Sequence, residues 1–312
     1  MIRHVKKRGD TFPLAGRGFG RRGRFGNQLV REPNQRSQPF RWKRFLLRMG
    51  LFVMGLFGAV VGLASYFENT LVFPGMKASV GWAAPSDPST QDVWLTSADG
   101  TKIHAWYLPC EGATGAIHFS HGNGGNLSHR DDSIHRLRDS FQRSILIYDY
   151  PGYGKSEGRP NEASVVAAGD AALAWLTQKY PAEQVILFGE SLGGAVAVDL
   201  ATRHDCRGLV LFSTFASLPK AAKELYRIIP CETLMSNRFD SISKIAAIRK
   251  PVFISHGDAD ELISLGQAQR LFDGAREPKR FRIRPGGTHN MPFDPAICEE
   301  ARRFLDATRS TP

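Results

Sequence analysis

Cysteine is scarce in this sequence, and its spacing shows no metal-binding pattern. Only four of the 312 residues are cysteine, and no two of them form a C-x-x-C pair. Structural zinc sites rely on closely spaced pairs of this kind, so we expect no bound metal. One or two disulfides are permitted if the chain is exported, but they are not required. The positions are Cys110, Cys206, Cys231 and Cys298.

Nucleotide-binding signatures and internal repeats are also missing. The glycine-rich loop His121–Asn126 could cradle a phosphate, but it has neither a G-K-[ST] ending nor G-x-G-x-x-G spacing. Residues 68–312 contain no repeat and no second fold, and their length suits one domain with a full core.

Acidic residues are almost absent from the first 48 positions. This segment has fourteen Lys or Arg against Asp10 and Glu32, so the net charge of +11 belongs to it and the remainder is close to neutral. Many Gly, Arg and Gln predict a disordered basic tail over residues 1–48. The stretch Gly16–Gly26 could set membrane topology, bind anionic lipid headgroups or bind nucleic acid, of which nucleic acid is the least favoured partner.

A long uncharged run follows this tail. Met49–Phe67 has nineteen residues without a charge, and a helix of that length spans about 28 Å, close to the roughly 30 Å hydrocarbon core of a bilayer. We expect an uncleaved transmembrane helix over 49–67 that anchors the protein in the lipid bilayer. The alternatives are a signal peptide, with Gly62-Leu63-Ala64 as its cleavage site, and a buried core helix.

The charge asymmetry predicts the orientation of this helix. Under the positive-inside rule, residues 1–48 lie in the cytoplasm and the remaining domain lies on the periplasmic or exoplasmic side. Met49 is an alternative initiator, and a start there would remove both the tail and the basis for the orientation.

A G-x-S-x-G pattern at Gly189–Gly193 separates a strand-like run from a helical one. Val185–Phe188 is apolar and Leu192–Thr202 has helical periodicity, which is the strand–turn–helix context that a nucleophile elbow requires. The two glycines suit a tight turn where strand and helix pass close together. Ser191 is therefore the predicted nucleophile, and an ordinary glycine-rich turn is the alternative.

Chain order selects the partners of this serine. In elbow-type triads the acid and then the histidine follow the serine, and His289 is the histidine that satisfies this order. It lies in a glycine-rich loop after the strand-like run Arg280–Arg284, although a surface histidine is the alternative. Asp258, Asp260 and Glu261 follow the preceding strand. Their spacing favours Asp260 as the acid and leaves the other two open.

Acyl transfer also requires donors for the negative charge that develops on the carbonyl oxygen. The strand-like run Ala116–Ser120 leads into the loop His121–Asn126, whose glycines let the backbone approach a substrate. We expect the backbone amides of Asn123 and Leu192 to form the oxyanion hole.

Strand-like and helical segments alternate through the rest of the chain. A hairpin signal, Ser97-Ala98-Asp99-Gly100, joins the first two strands. The order predicts an α/β fold with a mostly parallel eight-stranded sheet and helices on both faces. The predicted strands are 93–96, 103–108, 116–120, 144–148, 185–188, 209–212, 252–255 and 281–284, and the predicted helices are 163–179, 192–203, 218–228, 241–248, 267–274 and 295–307.

From about Asn69 to the C-terminus the sequence resembles the α/β-hydrolase superfamily. It is most similar to the membrane-anchored branch of serine-aminopeptidase-like and abhydrolase-domain proteins. The resemblance favours Asp260 as the triad acid and implies a Ser-His-Asp mechanism without a cofactor. It rests on the elbow and on Glu68-Asn69, Phe73-Pro74, His121-Gly122-Asn123, Asp149–Ser156, Asp260-Glu261 and Gly287–Asn290.

Residues 214–250 are where this superfamily often inserts a cap. The segment has 37 residues and two helical patterns, which suits one crossover and a short excursion. We therefore expect no large cap domain, and we expect Ser191 to lie in an open groove. Such a groove would admit a chain projecting from a larger molecule, such as a lipid acyl chain, a peptide end or an acylated protein.

The expected function is a membrane-anchored serine hydrolase that cleaves a carboxylic ester or thioester through an acyl-enzyme. Ser191 attacks the acyl carbon, His289 transfers the proton and Asp260 orients the imidazole. A serine peptidase is the alternative within the enzyme class, and a catalytically idle interaction module is the alternative outside it. The fold hosts many chemistries, so these motifs do not name the substrate.

Overall fold

The computed structural model describes residues 40–308, and an eight-stranded sheet forms its centre. The strands are β1 Gln91–Thr96, β2 Lys102–Leu108, β3 Ala116–Ser120, β4 Ser144–Tyr148, β5 Val185–Glu190, β6 Gly208–Phe212, β7 Val252–Gly257 and β8 Lys279–Arg284. Their order across the sheet is β1-β2-β4-β3-β5-β6-β7-β8. β2 pairs antiparallel with β1 and β4, and the other pairs are parallel. The predicted mostly parallel sheet is confirmed.

Helices cover both faces of this sheet, as predicted. They are α1 Phe40–Tyr66, α2 Glu68–Val72, α3 Asp131–Phe141, α4 Glu162–Thr177, α5 Leu192–Arg203, α6 Leu218–Leu225, α7 Cys231–Leu234, α8 Ser241–Ile245, α9 Leu265–Gly274 and α10 Pro295–Ala307. α4, α5, α8 and α9 pack on one face, and α3 and α10 pack on the other.

The central strands are buried on both faces, which explains their continuous apolar sequence. In β5, Val185 and Leu187 belong to the core cluster on the α5 side, whereas Ile186 and Phe188 belong to the cluster on the α3 and α10 side. Successive side chains of a strand point to opposite faces, so a strand between two helical layers needs apolar residues at every position. Unbroken apolar runs therefore located these strands correctly.

Helix α3 is absent from the sequence prediction. Its sequence DDSIHRLRDSF is mostly polar, and its buried residues are Ile134, Leu137 and Phe141. These positions lie on one helical face, but three apolar residues in eleven give a weak periodic signal. Packing against α10 and β4 stabilises the helix, and tertiary packing of this kind supplies most helix stability in proteins.

Helix α1 is long and apolar enough to cross a membrane. None of its most apolar 18-residue stretch is buried. Residues 1–39 of the predicted basic tail lie outside the described residues. Residues 40–48 are helical, so the helix begins at Phe40, nine residues before the predicted start at Met49. These nine residues contain no Gly or Pro and are rich in Arg, Lys and Leu, which are good helix formers.

The segment after α1 is attached to the domain that contains the sheet. A single residue, Phe67, separates α1 from α2. Further on, isolated β-bridges pair Gly75 with Gly125 and Lys77 with Gly154. These bridges fasten the segment to the loops that follow β3 and β4.

Glu68 fastens the start of α2 to a distant loop. Its buried carboxylate accepts hydrogen bonds from the backbone N–H groups of Ser236, at 2.9 Å, and Asn237, at 2.8 Å. Burial alone would raise the pKa of Glu68, but these hydrogen bonds outweigh burial and lower the pKa. The carboxylate is therefore ionised, and it accepts hydrogen bonds from both backbone and side-chain donors.

Candidate active site

Ser191 occupies a sharp turn between β5 and α5, with φ 52° and ψ −118°. A positive φ is unfavourable for a residue with a side chain, and such strain clusters at functional sites. The neighbouring glycines are required sterically. A Cβ on Gly189 would overlap the Cα of Gly194, and a Cβ on Gly193 would overlap the carbonyl oxygen of Ser120. The close approach of strand and helix expected from the G-x-S-x-G pattern is present.

Three side chains from distant parts of the chain meet at this turn. Ser191 Oγ lies 3.1 Å from His289 Nε2, and His289 Nδ1 lies 2.9 Å from Asp260 Oδ2. A neutral imidazole protonated at Nδ1 donates to Asp260 and accepts from the Ser191 hydroxyl, which is the tautomer that a general base needs. The structure therefore places the three predicted residues in hydrogen-bonding order.

The three candidate carboxylates have different partners. Both oxygens of Asp260 lie within hydrogen-bonding distance of His289 Nδ1. Asp258 accepts a hydrogen bond from the backbone N–H of Gly286 at 2.6 Å, and Glu261 accepts one from the backbone N–H of His289 at 3.3 Å. Asp260 is thus placed to orient the imidazole, while its two neighbours support the loop that carries it.

The surroundings of Asp260 keep its carboxylate ionised. Burial alone would raise the pKa of Asp260, but hydrogen bonds from His256, from His289 and from the backbone N–H of Ile263 outweigh burial and lower the pKa. The Ile263 and Leu262 N–H groups donate to Oδ1 at 2.8 Å and 3.0 Å. A carboxylate that remains negative can stabilise the imidazolium that forms when the serine is deprotonated.

His256 also contributes to the site, although chain order excludes it as the general base. Its ring is fully buried at the end of β7. Nε2 lies 2.8 Å from the carbonyl oxygen of Ile263 and 3.3 Å from Asp260 Oδ2. The ring therefore supports both ends of the turn that presents Asp260. A histidine inside an otherwise apolar strand was the sequence signal for this role.

The loop after β3 is held at Asn123 from two directions. Asn123 Nδ2 donates to the carbonyl oxygen of Val72 at 2.8 Å, and the Tyr153 hydroxyl donates to the carbonyl oxygen of Asn123 at 2.8 Å. Within the described residues the backbone N–H of Asn123 has no protein acceptor. The N–H of Leu192 stands at the first position of α5, where a helix provides no partner. Both predicted oxyanion donors are therefore available to a ligand.

A buried arginine lies close to the triad. Arg284, the last residue of β8, is 3% exposed and donates to Ser213 Oγ at 2.6 Å. Burial lowers the pKa of its guanidinium, and the nearby charges of Asp260 and Glu190 offset part of that effect. Arg284 thus places a positive charge near the carboxylates of Asp260 and Glu190. The alternation of charged and apolar residues in β8 did not distinguish it from its exposed neighbours.

Ser191 and His289 line an apolar cavity of about 520 Å³, a volume typical of ligand pockets. Ser191 is only 7% exposed, and the cavity that it borders is partly open to solvent. The excursion in 214–250 is as short as predicted, but its helices α6 and α7 contribute much of the cavity lining. α2 contributes Leu71 and Val72 to the same lining. Three short helices, α2, α6 and α7, therefore line the cavity beside the serine without a cap domain.

The four cysteines are free thiols. Cys206, Cys231 and Cys298 are buried, and burial raises the pKa of Cys206 and Cys298 to about 12. These two thiols are therefore uncharged and unreactive at neutral pH. Within residues 40–308, no group of three or more His, Cys, Asp or Glu side chains is arranged to hold a metal ion.

Sequence comparisons place this fold and site among known proteins. Residues 111–243 match the family model described as serine aminopeptidase, S33; the matched region includes Ser191. The chain is 34% identical to the uncharacterized protein Rv2307c of Mycobacterium tuberculosis over 258 residues, which cover 80% of this chain and 91% of that protein. It is 30% identical to the uncharacterized protein YfhR of Escherichia coli strain K12 over 216 residues, covering 66% and 75%.

Solved structures share the fold. The Pyrococcus furiosus esterase Pf2001 superimposes with a TM-score of 0.61 at 19% identity, covering 75% of this chain and 96% of the esterase. The α/β hydrolase GrgF from a Penicillium species gives a TM-score of 0.58 at 17% identity, covering 70% and 98%. The chain belongs to the α/β-hydrolase superfamily, and its broad activity class is that of a hydrolase.

Proposed function

We propose that this protein is a membrane-anchored serine hydrolase that cleaves a carboxylic ester or thioester. The observation that carries the proposal is the hydrogen-bonded chain from Ser191 through His289 to Asp260. It starts from a strained elbow and ends on a carboxylate whose surroundings keep it ionised. Surface side chains do not need such strain or such burial, so the arrangement supports a catalytic role.

The proposed reaction proceeds in two halves. Ser191 Oγ attacks the acyl carbon while His289 Nε2 takes the hydroxyl proton, and the resulting oxyanion accepts hydrogen bonds from the Asn123 and Leu192 amides. His289 then gives the proton to the departing alcohol or thiol as the acyl–oxygen or acyl–sulfur bond breaks. Water cleaves the acyl-enzyme by the same route, with His289 again transferring the proton. The chemistry uses side chains and backbone alone, without a cofactor.

The cavity lining supports an acyl group over an amino-terminal peptide. An aminopeptidase needs an acidic group to hold the positive amino terminus of its substrate. Among the described residues, Glu68 is the one acidic side chain that lines this cavity. Its carboxylate already accepts hydrogen bonds from Ser236 and Asn237. Leu71, Phe215 and other apolar side chains form most of the remaining surface. Removal of apolar surface from water would favour binding of a hydrocarbon chain.

Peptidase activity remains the second candidate, because the matched family model is named for a serine aminopeptidase. A panel of p-nitrophenyl esters, acyl thioesters and aminoacyl p-nitroanilides separates the two. We expect turnover of the esters or thioesters. Faster turnover of the anilides would favour the peptidase, whereas a folded protein that cleaves none of the panel would favour the idle interaction module.

Helix α1 is the membrane anchor in this proposal. Its apolar side chains are exposed, which is unfavourable in water and favourable in a bilayer. Arg41, Lys43, Arg44 and Arg48 cluster at its N-terminal end. The positive-inside rule then puts that end in the cytoplasm and the catalytic domain on the periplasmic or exoplasmic side.

Ser191→Ala tests the proposal directly. We expect it to lower kcat for p-nitrophenyl butyrate by about 10⁴-fold or more and to abolish labelling by a fluorophosphonate probe. Ser243→Ala, which alters an exposed serine on α8, is the matched control and should retain both. Undiminished turnover by a folded Ser191→Ala protein would refute the assignment of the nucleophile.

A further inference from the structure

The catalytic domain begins where the apolar helix ends. α1 stops at Tyr66 and α2 starts at Glu68, so one residue joins them. One residue of extended chain spans only about 3.5 Å. If α1 crosses a bilayer, α2 must therefore lie at the surface of that bilayer, and no linker can hold the domain away from it.

The same two helices line the cavity that contains the proposed nucleophile. Ala64 and Ser65, from the last turn of α1, border the cavity together with Leu71 of α2. Ser191 and His289 border it as well. The cavity is thus continuous from the catalytic serine to the end of the membrane helix.

Exposed apolar side chains surround this cavity. We call them the apolar rim: Leu71, Leu225, Tyr226, Ile228 and Leu262. Each is at least 45% exposed, and Ile228 reaches 81%. Four of them also line the cavity, and Ile228 lies two residues beyond Tyr226. A cluster of exposed apolar residues at the edge of a pocket is typical of a surface that contacts a membrane or another protein.

The charges beside the α6 part of the rim favour a membrane, whereas Glu261, next to Leu262, is an exposed acid. Lys220 and Arg227 are exposed cations next to the apolar residues of α6 and its following turn. The one acid of that helix, Glu224, is neutralised by Arg270 at 2.6 Å. Exposed apolar residues flanked by cations are the pattern of segments that lie in the headgroup region of anionic bilayers.

From these observations we infer that the apolar rim sits in the bilayer surface, and that the substrate is an acyl lipid whose chain passes from the bilayer into the cavity. This inference rests on the proposed function. Ser191 Oγ forms a bond to the acyl carbon, the bond from that carbon to the lipid oxygen breaks, and His289 gives its proton to that oxygen. Water then releases a free fatty acid. The acyl chain would pass from the bilayer across the apolar rim into the cavity without contact with water.

The test compares two ester substrates on the full chain reconstituted in vesicles of phosphatidylcholine and phosphatidylglycerol. One measurement is fatty-acid release from the vesicle lipids, and the other is hydrolysis of soluble p-nitrophenyl butyrate. Ile228→Asp places a charge in the rim, and we expect it to lower the ratio of lipid to soluble-ester hydrolysis at least about tenfold. Val80→Asp is the matched control, because Val80 is 76% exposed and does not line the cavity.

The outcomes separate this inference from the proposed function. Failure of Ser191 to react with a fluorophosphonate would overturn the proposed function and the inference together. If Ser191 reacts and the soluble ester is cleaved, the inference alone is overturned by any of three results. These are no lipid hydrolysis, equal ratios for Ile228→Asp and Val80→Asp, or faster cleavage of a water-soluble acylated peptide than of vesicle lipid.

Discussion

Asn123 donates its side-chain amide to the carbonyl oxygen of Val72 across 2.8 Å. Val72 is the last residue of α2, which follows the apolar helix α1 after a single residue. The loop that carries a proposed oxyanion donor is therefore tied to the segment that follows the apolar helix α1. The Tyr153 hydroxyl, bonded to the carbonyl oxygen of Asn123, holds the same residue from the other side.

These two tethers should matter for catalysis more than for substrate binding. Asn123→Ala keeps the backbone N–H but removes its tether, and Tyr153→Phe removes the second one. Because small displacements of an oriented group are costly, we expect each to lower kcat about 10- to 100-fold with a smaller change in KM. Steady-state kinetics on a p-nitrophenyl ester measure both constants.

Tyr180→Phe is the control for loss of a tyrosine hydroxyl. Tyr180 bonds to Ser144 at 2.8 Å and does not line the cavity, so its loss should leave kcat nearly unchanged. Equal kcat for Tyr153→Phe and Tyr180→Phe would show that the tether does not position the oxyanion donor.

The acid of the triad is tested by two isosteric changes. Asp260→Asn removes the charge that orients the imidazole and should lower kcat about 10³- to 10⁴-fold, as loss of this carboxylate does in serine protease triads. Asp258→Asn retains an oxygen that can accept from the Gly286 N–H, so kcat should change by a few-fold at most. The opposite ranking in ester hydrolysis would move the acid to Asp258.

The lowered pKa of Asp260 predicts a pH-dependent contribution to stability. The ionised carboxylate is favoured in the folded state, so its contribution is fully present above the unfolded pKa, near 3.8, and is lost as pH falls towards the folded pKa. The difference in free energy of unfolding between wild type and Asp260→Asn should therefore be larger at about pH 6 than at about pH 3. Urea unfolding in detergent measures it, and a constant difference would contradict the lowered pKa.

Membrane topology is tested with C-terminal fusions. The cluster of cations before the apolar stretch predicts an N-in, C-out single pass. An alkaline phosphatase fusion should then be active and a green fluorescent protein fusion dark, because each reporter works on one side only. A fluorescent fusion with inactive phosphatase would place the hydrolase domain in the cytoplasm.

The sequence predicted the sheet better than it predicted the surface helices. All eight strands were located. The central strands are apolar runs because they are buried on both faces, whereas the edge strands β1 and β8 are partly exposed and carry polar or charged residues between apolar ones. Helix α3 was missed because its three buried residues are separated by polar ones. The predicted helix over 218–228 ends at Leu225, and α7 follows as a separate short helix.

The proposed catalytic residues were selected from local pattern and chain order. The elbow is a local feature, since a strand, a tight turn and a helix leave their mark within about fifteen residues. Supporting residues such as His256 and Arg284 were not selected. Each reveals its role only through partners that lie elsewhere in the chain, such as Ser213 for Arg284.

The sequence by itself determined which segments form strands, which turn carries the serine and which few residues could complete a triad, because these depend on local conformation and alternating burial. The tertiary structure decided that Ser191, Asp260 and His289 meet, although 98 residues separate the serine from the histidine. It also decided that α2, α6 and α7 line the cavity. Such contacts depend on how strands are ordered in the sheet and how helices pack on it, and this order is set by interactions between residues far apart in the chain.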